Sequence, residues 1–294
     1  MTDTSSTQHL ELPTATLAYD VHGPLPTSDG RPPLLMIGQP MDARGFATLA
    51  SLFPERTVVT YDPRGLGRSS RSDGSSRNSP AQQADDLHHL VAQLGAGPVD
   101  LFASSGGAVT APALVSEHPE DVRTLVAHEP PLLSVLPDAE RAFAAERRVQ
   151  QQYAAHGWGA GMAMFIAFTS VRGEVPEDFG AQAPDPAMFG LPTQDDGSRD
   201  DPLLSGVSDD VTAYRPDLAA LRAAPTRVVV AAGIESKDLV TWRASEALAA
   251  ALGTELTVFP SHHGGFVGPG FGQPGQPEAF AARLREVLGD AAGD

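Results

Sequence analysis

The stretch that decides the fold of this chain is residues 99–109, VDLFASSGGAV. An apolar run leads into small residues around a serine, and a segment with a helical pattern follows. A sharp turn from a strand into a helix needs small side chains two places before and two places after its apex, because the chain nearly touches itself there. Ala103 and Gly107 stand at those places around Ser105, so the pattern predicts a nucleophile elbow with Ser105 at its apex.

Two alternatives to this interpretation exist within the same stretch. Ser104 at the apex would have Phe102 and Gly106 as flanking residues, and a phenylalanine is too large for the first place. An ordinary glycine-rich loop before a helix is the other alternative. The usual elbow pattern is G-x-S-x-G, and here Ala103 replaces the first glycine with a residue that a tight turn accepts.

The composition limits the class of protein. The chain has 294 residues, of which 41% are hydrophobic, and this is enough to bury a large core. A net charge of −17 argues against a nucleic acid or an anionic membrane as a partner. The absence of cysteine excludes disulfides, thiolate catalysis and cysteine-based metal sites. Residues 1–12 have no apolar signal-peptide core and no stretch approaches the length of a membrane span, so we expect a soluble cytoplasmic protein.

Apolar runs alternate with helical patterns along most of the chain. Such alternation predicts right-handed crossovers and a parallel sheet. We expect a hairpin over residues 9–22 and strands over residues 33–37, 57–61, 99–103, 122–127, 226–232 and 256–259. We expect helices over residues 43–53, 80–94, 106–118, 138–155, 158–168, 239–252 and 277–288. The sheet pattern is interrupted between residues 130 and 222, which are therefore predicted to be an insertion.

Residues that can carry chemistry follow the predicted strands, and in an open parallel sheet such residues collect at the carboxyl ends of the strands. A serine hydroxyl is a poor nucleophile at neutral pH. It needs a base within hydrogen-bond reach, and the base needs a carboxylate that fixes its tautomer. His263 follows the last strand and precedes two glycines that let its loop approach the serine, so it is the predicted base. His262 is the alternative.

The carboxylate that orients the base has three candidates. Glu129 directly follows a strand, and the two prolines after it stiffen its loop. Glu235 and Asp238 follow the strand over residues 226–232. Glu129 is the predicted acid, and the other two remain alternatives.

Backbone N–H groups near Ser105 can bind the negative charge that develops on a carbonyl oxygen during nucleophilic attack. The predicted donors of this oxyanion hole are the N–H groups of Gly106 and Gln39. The Gln39 side chain is in addition a candidate substrate contact. Residues 62–69, DPRGLGRS, predict a structural turn beside the site.

Three motifs together resemble the α/β-hydrolase superfamily: the turn at residues 62–69, the elbow at Ser105, and the His-Gly-Gly run after the last strand. The resemblance covers residues 9–288. It implies an α/β-hydrolase fold, with an eight-stranded, mostly parallel sheet flanked by helices and a helical cap inserted after strand six. Residues 1–129 and 223–294 are then the core, and residues 130–222 are the cap.

The position of the triad acid varies within this superfamily. Most members have an aspartate after the seventh strand, where this chain has residues 233–236, GIES. A minority have the acid after the sixth strand, where Glu129 falls. The zearalenone lactonases of fungi are similar in this respect, and their Ser–Glu–His triad matches Ser105, Glu129 and His263 here. Their cap also supplies a tryptophan to the substrate, and Trp158 lies in the predicted cap of this chain.

The resemblance and the site residues imply a serine hydrolase that cleaves a carboxylic ester or lactone of a small apolar substrate through an acyl-enzyme. Neither a cofactor nor a metal is expected, the expected partner is the small-molecule substrate, and a homodimer is left open. A C–C bond hydrolase, a cofactor-free oxygenase or perhydrolase, and a non-catalytic small-ligand binder remain alternatives. The candidate pocket residues, whose other interpretation is packing of the cap on the sheet, are Trp158, Met162, Met164, Phe165 and Phe168.

Overall fold

The central element of the molecule is a mixed sheet of nine strands within residues 6–269 and 273–290, the part of the chain that the computed structural model describes. The strands run in the order β1-β2-β4-β3-β6-β7-β8-β9, and the short β5 pairs with β2. β2 is antiparallel to its neighbours, and the pairs from β4 through β9 are parallel. The predicted eight-stranded, mostly parallel sheet is confirmed, with β5 as an addition. The strands are β1 (Ser6–Leu12), β2 (Ala15–His22), β3 (Leu34–Ile37), β4 (Val58–Tyr61), β5 (Ser70–Arg71), β6 (Val99–Ser104), β7 (Val122–His128), β8 (Arg227–Gly233) and β9 (Thr257–Phe259).

Helices cover both faces of this sheet. They are α1 (Ala47–Ser51), α2 (Pro80–Leu94), α3 (Gly107–Glu117), α4 (Ala139–Thr169), α5 (Asp209–Thr212), α6 (Leu218–Ala223), α7 (Val240–Leu252) and α8 (Pro277–Leu288). Apolar residues of α2 and α3 pack on one face, and those of α1 and α8 pack on the other. In β3, Leu35 and Ile37 face the first group of helices while Leu34 and Met36 face the second, since side chains alternate along a strand. All four residues are buried, which explains why this strand is a continuous apolar run in the sequence.

The helices α4, α5 and α6 lie between β7 and β8. Apolar side chains of α4 and α5, with Leu218 of α6, form one cluster with residues of α7 and with Val109 of α3, while Leu221 of α6 packs with α2 and α3. α4 bends at Gly157, whose φ of 83° lies outside the helical range. A Cβ atom at Gly157 would lie 2.3 Å from Asp195 Oδ1, so the bend needs a glycine there. The two helices predicted over residues 138–155 and 158–168 are therefore the two arms of one bent helix.

Most of the predicted elements agree with the structure. α2 begins at Pro80 and ends before Gly95, which has a left-handed φ of 62°, and its bounds are those expected from the sequence. β5, α5 and α6 were not predicted, because they are too short to show a hydrophobic period. Among the described helices, none is both long enough and apolar enough to cross a bilayer.

Candidate active site

Ser105 lies at the turn between β6 and α3 and has a left-handed φ of 56°. Its backbone N–H donates to His128 O at 3.0 Å, which ties the turn to the end of β7. A Cβ atom at Gly107 would lie 2.8 Å from Ile37 O, and one at Gly106 would lie 2.9 Å from Gln39 O. The two glycines after Ser105 therefore lie so close to the backbone at the end of β3 that a side chain at either position would collide with it.

Ser104, the alternative to Ser105, points into the protein. It is 1% exposed, and its hydroxyl lies 3.2 Å from His128 Nδ1. His128 is itself fully buried, and burial lowers its pKa to about 4, so this imidazole is neutral at physiological pH. Ser104 therefore belongs to the packing below the site.

Glu129 follows β7, has no exposed surface and has a φ of 49°. Its carboxylate accepts three hydrogen bonds. The Gly233 N–H donates to Oε1 at 2.9 Å, the Thr241 hydroxyl donates to Oε2 at 2.6 Å, and His263 Nδ1 lies 2.7 Å from Oε2. Donors from β8, α7 and the loop after β9 thus meet on one carboxylate.

These contacts decide the protonation of the pair. Burial opposes the ionised form of Glu129, but the hydrogen bond and charge of His263 and the Thr241 hydroxyl outweigh it, so the pKa of Glu129 lies well below its usual range. Burial also opposes the charged form of His263, yet the Glu129 carboxylate raises the pKa of His263 above its ordinary value. An ionised carboxylate therefore holds an imidazole whose protonated form it stabilises.

The alternative histidine and acids make other contacts. His262 Nδ1 accepts the Gly264 N–H at 3.0 Å, and its Nε2 lies 3.2 Å from Pro274 O. Glu235 is exposed and accepts a hydrogen bond from the Gln276 side chain. Asp238 is exposed as well. Within the described residues, the carboxylate that hydrogen-bonds to His263 is that of Glu129.

Ser105 and His263 line the same cavity, which has a volume of about 360 Å³. Gln39 and Gly106 line it beside the serine, and the remaining walls come largely from the helices between β7 and β8 and from α7. Two of the predicted pocket residues, Phe165 and Phe168, contribute to these walls.

The other three candidates, Trp158, Met162 and Met164, are not among the residues that line this cavity. The two arms of α4 contact the cavity at residues 146–150 and 165–169. Trp158 lies beside the bend, and its indole N–H donates to Asp201 Oδ2 at 2.9 Å. Trp158 and Met162 pack into the apolar cluster around α4 instead.

The predicted oxyanion hole has one donor already engaged. The Gly106 N–H donates to Gln39 O, but at a long 3.2 Å. The Gln39 side chain is 2% exposed, and neither its Nε2 nor its Oε1 has a hydrogen-bond partner among the described residues. Ser236, which lines the same cavity, is 1% exposed and its hydroxyl is likewise without a partner there. Buried polar groups ordinarily have partners, so these two side chains are exceptional among the residues of the cavity wall.

The turn at residues 62–69 lies outside the cavity walls. Asp62 is buried and accepts the backbone N–H groups of Ala43 and Arg68. Arg64 forms an ion pair with Asp86, and both side chains are almost fully buried. These contacts tie the turn to neighbouring loops and to α2, which is a structural role.

Four non-glycine residues of the described chain have a left-handed backbone, and they surround the site. They are Ser105, Glu129, Asp238 and Ser261, with φ between 49° and 69°. Such conformations are unfavourable for residues with a Cβ atom, and they tend to cluster at functional sites. Ser261 precedes the two histidines, and its carbonyl accepts the Glu235 N–H, which fixes the loop that carries His263.

Two functional groups in the site were not predicted. Thr241, in the first turn of α7, bonds to Glu129, and Glu146 of α4 lines the cavity. No motif marks either residue, because a threonine near a helix start and a glutamate in a charged helix are both common.

A cluster of possible metal ligands lies apart from the cavity. His88, His118 and Asp121 have ligand atoms within 4.8 Å of one another. The two imidazole rings are stacked 3.7 Å apart and nearly parallel. Because nitrogen lone pairs lie in the ring planes, this stacking directs them side by side and not toward one point. The cluster is a hydrogen-bonded stack, in which His88 Nδ1 lies 2.7 Å from Asp121 Oδ2.

Known proteins resemble this chain over most of its length. Residues 34–266 match the family model described as the alpha/beta hydrolase fold. The uncharacterized hydrolase YraK of Bacillus subtilis (strain 168) is 29% identical over 284 residues, which are 95% of this chain and 94% of that protein.

Solved structures resemble this one in their fold. The thermophilic esterase from Thermogutta terrifontis has a TM-score of 0.64 and 23% identity over 96% of this chain and 98% of that chain. The enol-lactonase from Burkholderia xenovorans LB400 has a TM-score of 0.62 and 15% identity over 96% of this chain and 100% of that chain.

Proposed function

The chain belongs to the alpha/beta hydrolase family, and we propose that it is a serine hydrolase that cleaves a carboxylic ester or lactone of a small substrate through an acyl-enzyme. The observation that carries this proposal is the hydrogen bond of 2.7 Å between the buried Glu129 carboxylate and His263, at a cavity that Ser105 also lines. The esterase and the enol-lactonase with the same fold are consistent with this reaction class.

The first half of the reaction forms the acyl-enzyme. Ser105 Oγ attacks the carbonyl carbon, and His263 Nε2 accepts the hydroxyl proton. Glu129 holds the imidazole in the tautomer that has its free nitrogen toward the serine, and it stabilises the charged form that results. The proton then passes from His263 to the leaving alkoxide, which departs as an alcohol or, for a lactone, as the free end of the opened ring.

The tetrahedral intermediate carries a negative oxygen that needs donors. The N–H groups of Gly106 and Gln39 are proposed for this role. The Gly106 N–H leaves the Gln39 carbonyl, to which its bond is long, and binds the oxyanion. Loss of one such donor typically lowers kcat by about a hundred-fold or more.

The second half of the reaction releases the acid. Water loses a proton to His263 and attacks the acyl carbon, and the same donors bind the second oxyanion. His263 returns the proton to Ser105 Oγ, which restores the enzyme.

Labelling with a fluorophosphonate probe, followed by peptide mass mapping, tests this proposal. We expect a stoichiometric adduct on Ser105 and none in Ser105→Ala, and we expect that variant to lose about a thousand-fold or more of the esterase kcat/KM. The outcome that contradicts the proposal is an unlabelled Ser105 in folded protein whose melting temperature the probe raises. That result would favour a cofactor-free oxygenase or a non-catalytic binder. A labelled protein that cleaves a β-diketone but no ester would favour a C–C bond hydrolase.

A further inference from the structure

The cavity wall formed by the helices between β7 and β8 is acidic. Glu146 of α4 and Asp209 of α5 both line the cavity. Of the described residues that line it, none is a lysine or an arginine. Among the described lining residues, the groups that can carry a positive charge are His262 and His263, and His263 is already hydrogen-bonded to Glu129.

Glu146 is the less satisfied of the two carboxyl groups. Burial raises its pKa to about 7, and the charge of Asp209 acts in the same direction, while the Thr212 hydroxyl and the charge of Arg147 act in the opposite direction. Glu146 forms no ion pair within 4.0 Å among the described residues. Asp209, by contrast, accepts a hydrogen bond of 2.5 Å from Gln150 Nε2. Glu146 is the carboxyl group that a bound cation would relieve most.

Two further side chains indicate a polar occupant. Gln39 and Ser236 are at least nine-tenths buried, line the cavity, and have side-chain donors and acceptors without partners among the described residues. Leaving such a group unsatisfied is unfavourable, and a purely hydrocarbon ligand would not satisfy it.

Aromatic rings in the same wall favour a cation. Phe165 and Phe168, from the arm of α4 after its bend, line the cavity together with Glu146. A cation near the face of an aromatic ring is attracted by the ring quadrupole, and the attraction is stronger where water is excluded. Carboxylates and phenyl rings together are a combination suited to an ammonium group.

We infer that the substrate of the proposed hydrolase carries a protonated amine, which binds to Glu146 and Asp209 while its ester or lactone carbonyl lies at Ser105. This inference rests on the proposed function and assigns its substrate class. The ammonium group donates to the two carboxylates, the chain between it and the carbonyl contacts the phenyl rings, and Gln39 and Ser236 bind polar atoms near the carbonyl.

Three 4-nitrophenyl esters of equal chain length test the inference on the wild-type enzyme. They are the 6-aminohexanoate, which ends in an ammonium group, the heptanoate, which ends in a methyl group, and the mono-adipate, which ends in a carboxylate. We expect kcat/KM to be about tenfold or more higher for the ammonium ester than for the methyl ester, because a charge-assisted hydrogen bond in a water-poor site is among the strong ones. We expect the carboxylate ester to be the poorest substrate.

Two variants of α4 locate the effect. Glu146→Gln should bring the ratio of kcat/KM for the ammonium and methyl esters close to one. Glu140→Gln removes an exposed glutamate from the first turn of the same helix, and it should leave both kcat/KM values within twofold. Asp209→Asn is a second test, expected to lower the ratio, if Glu146→Gln does not fold.

The outcomes separate the inference from the proposed function. Hydrolysis of the methyl ester by a labelled Ser105, with a ratio of one or less in the wild type, would overturn the inference and leave the proposed function standing. A ratio above one that neither Glu146→Gln nor Asp209→Asn lowers would overturn it as well. Failure to hydrolyse any of the esters, with no label on Ser105, would instead contradict the proposed function.

Discussion

Two glutamates on opposite sides of the site, Glu129 at the end of the sheet and Glu146 in the helices above it, respond to burial in opposite ways. Both are desolvated, and desolvation alone raises the pKa of a carboxyl group. Glu129 has three donors and a histidine beside it, and its pKa falls below the usual range. Glu146 has a nearby threonine hydroxyl and a neighbouring aspartate, and its pKa rises to about 7. Donors, and not depth, decide whether a buried carboxylate is ionised.

The two glutamates belong to two sides of the site. The sheet side is the edge of the sheet with Ser105, Glu129 and His263, and the helical side is the cavity wall with Glu146 and Asp209. On the sheet side, the Glu129 contacts are complete before any substrate binds. On the helical side, the cavity wall carries the carboxyl groups of Glu146 and Asp209, and the described residues that line the cavity include no lysine or arginine. A fully hydrogen-bonded network fixes the positions of catalytic side chains. Carboxyl groups without an ion pair can instead bind a ligand of opposite charge.

The largest effect on activity is expected from a substitution of Glu129, which removes its contact with His263. Glu129→Gln replaces the carboxylate with an amide that cannot stabilise a charged imidazole, so we expect the esterase kcat/KM to fall about a thousand-fold or more. Glu235→Gln, which changes an exposed glutamate after β8, is the matched control and should stay within twofold of wild type. Full activity in Glu129→Gln, measured with a 4-nitrophenyl ester, would contradict the assignment of the acid.

The pH dependence of kcat/KM tests the pairing of Glu129 with His263. His263 must be neutral to accept a proton, and Glu129 raises the pKa of His263. Activity is therefore present above that pKa and lost as the pH falls through it, so the acid limb of kcat/KM should lie above about 6.5, the ordinary value for a histidine. In Glu129→Gln the acid limb should move to lower pH, because burial then lowers the pKa of His263 and no carboxylate raises it. An acid limb at or below the ordinary histidine value in the wild type would count against the pairing.

The smallest effect on activity is expected from a substitution of Phe165, in the helical wall of the cavity. Phe165→Ala removes apolar surface from the cavity wall, and we expect KM to rise about fivefold with little change in kcat. Met162→Ala, on the same arm of α4 but outside the cavity, should leave KM within twofold while it lowers the melting temperature. Equal effects of the two substitutions on KM would contradict the placement of Phe165 in the cavity wall and of Met162 outside it.

The residues of the sheet side could be predicted because each follows directly from local sequence. Small residues around Ser105 dictate a tight turn, and a strand that ends at Glu129 or before His263 brings these residues to one edge of the sheet. The hydrogen bond between Glu129 and His263 agrees with the sequence-based pairing. Thr241 was missed because its contact depends on how α7 packs, which no spacing in the sequence records.

The helical side was less predictable for a physical reason. Trp158 and Met162 were expected in the pocket because they are large apolar residues in a helical pattern. The two arms of α4 contact the cavity at residues 146–150 and 165–169, and which side chains of each arm face it depends on the packing of the folded helix. In the sequence, Glu146 cannot be told apart from the exposed charged residues of the same helix, because its burial is apparent only in the folded structure.

The left-handed backbone at Ser105 and Glu129 has a consequence for how the sequence can change. For a residue with a Cβ atom this conformation costs about 1–2 kcal/mol, and glycine avoids most of that cost. Selection for a stable fold alone would favour glycine at Ser105, whereas a glycine at Glu129 would also lose the three hydrogen bonds that the carboxylate accepts. Variants recovered from a screen for heat resistance, with no demand for activity, should therefore accumulate glycine at Ser105 and keep Glu129.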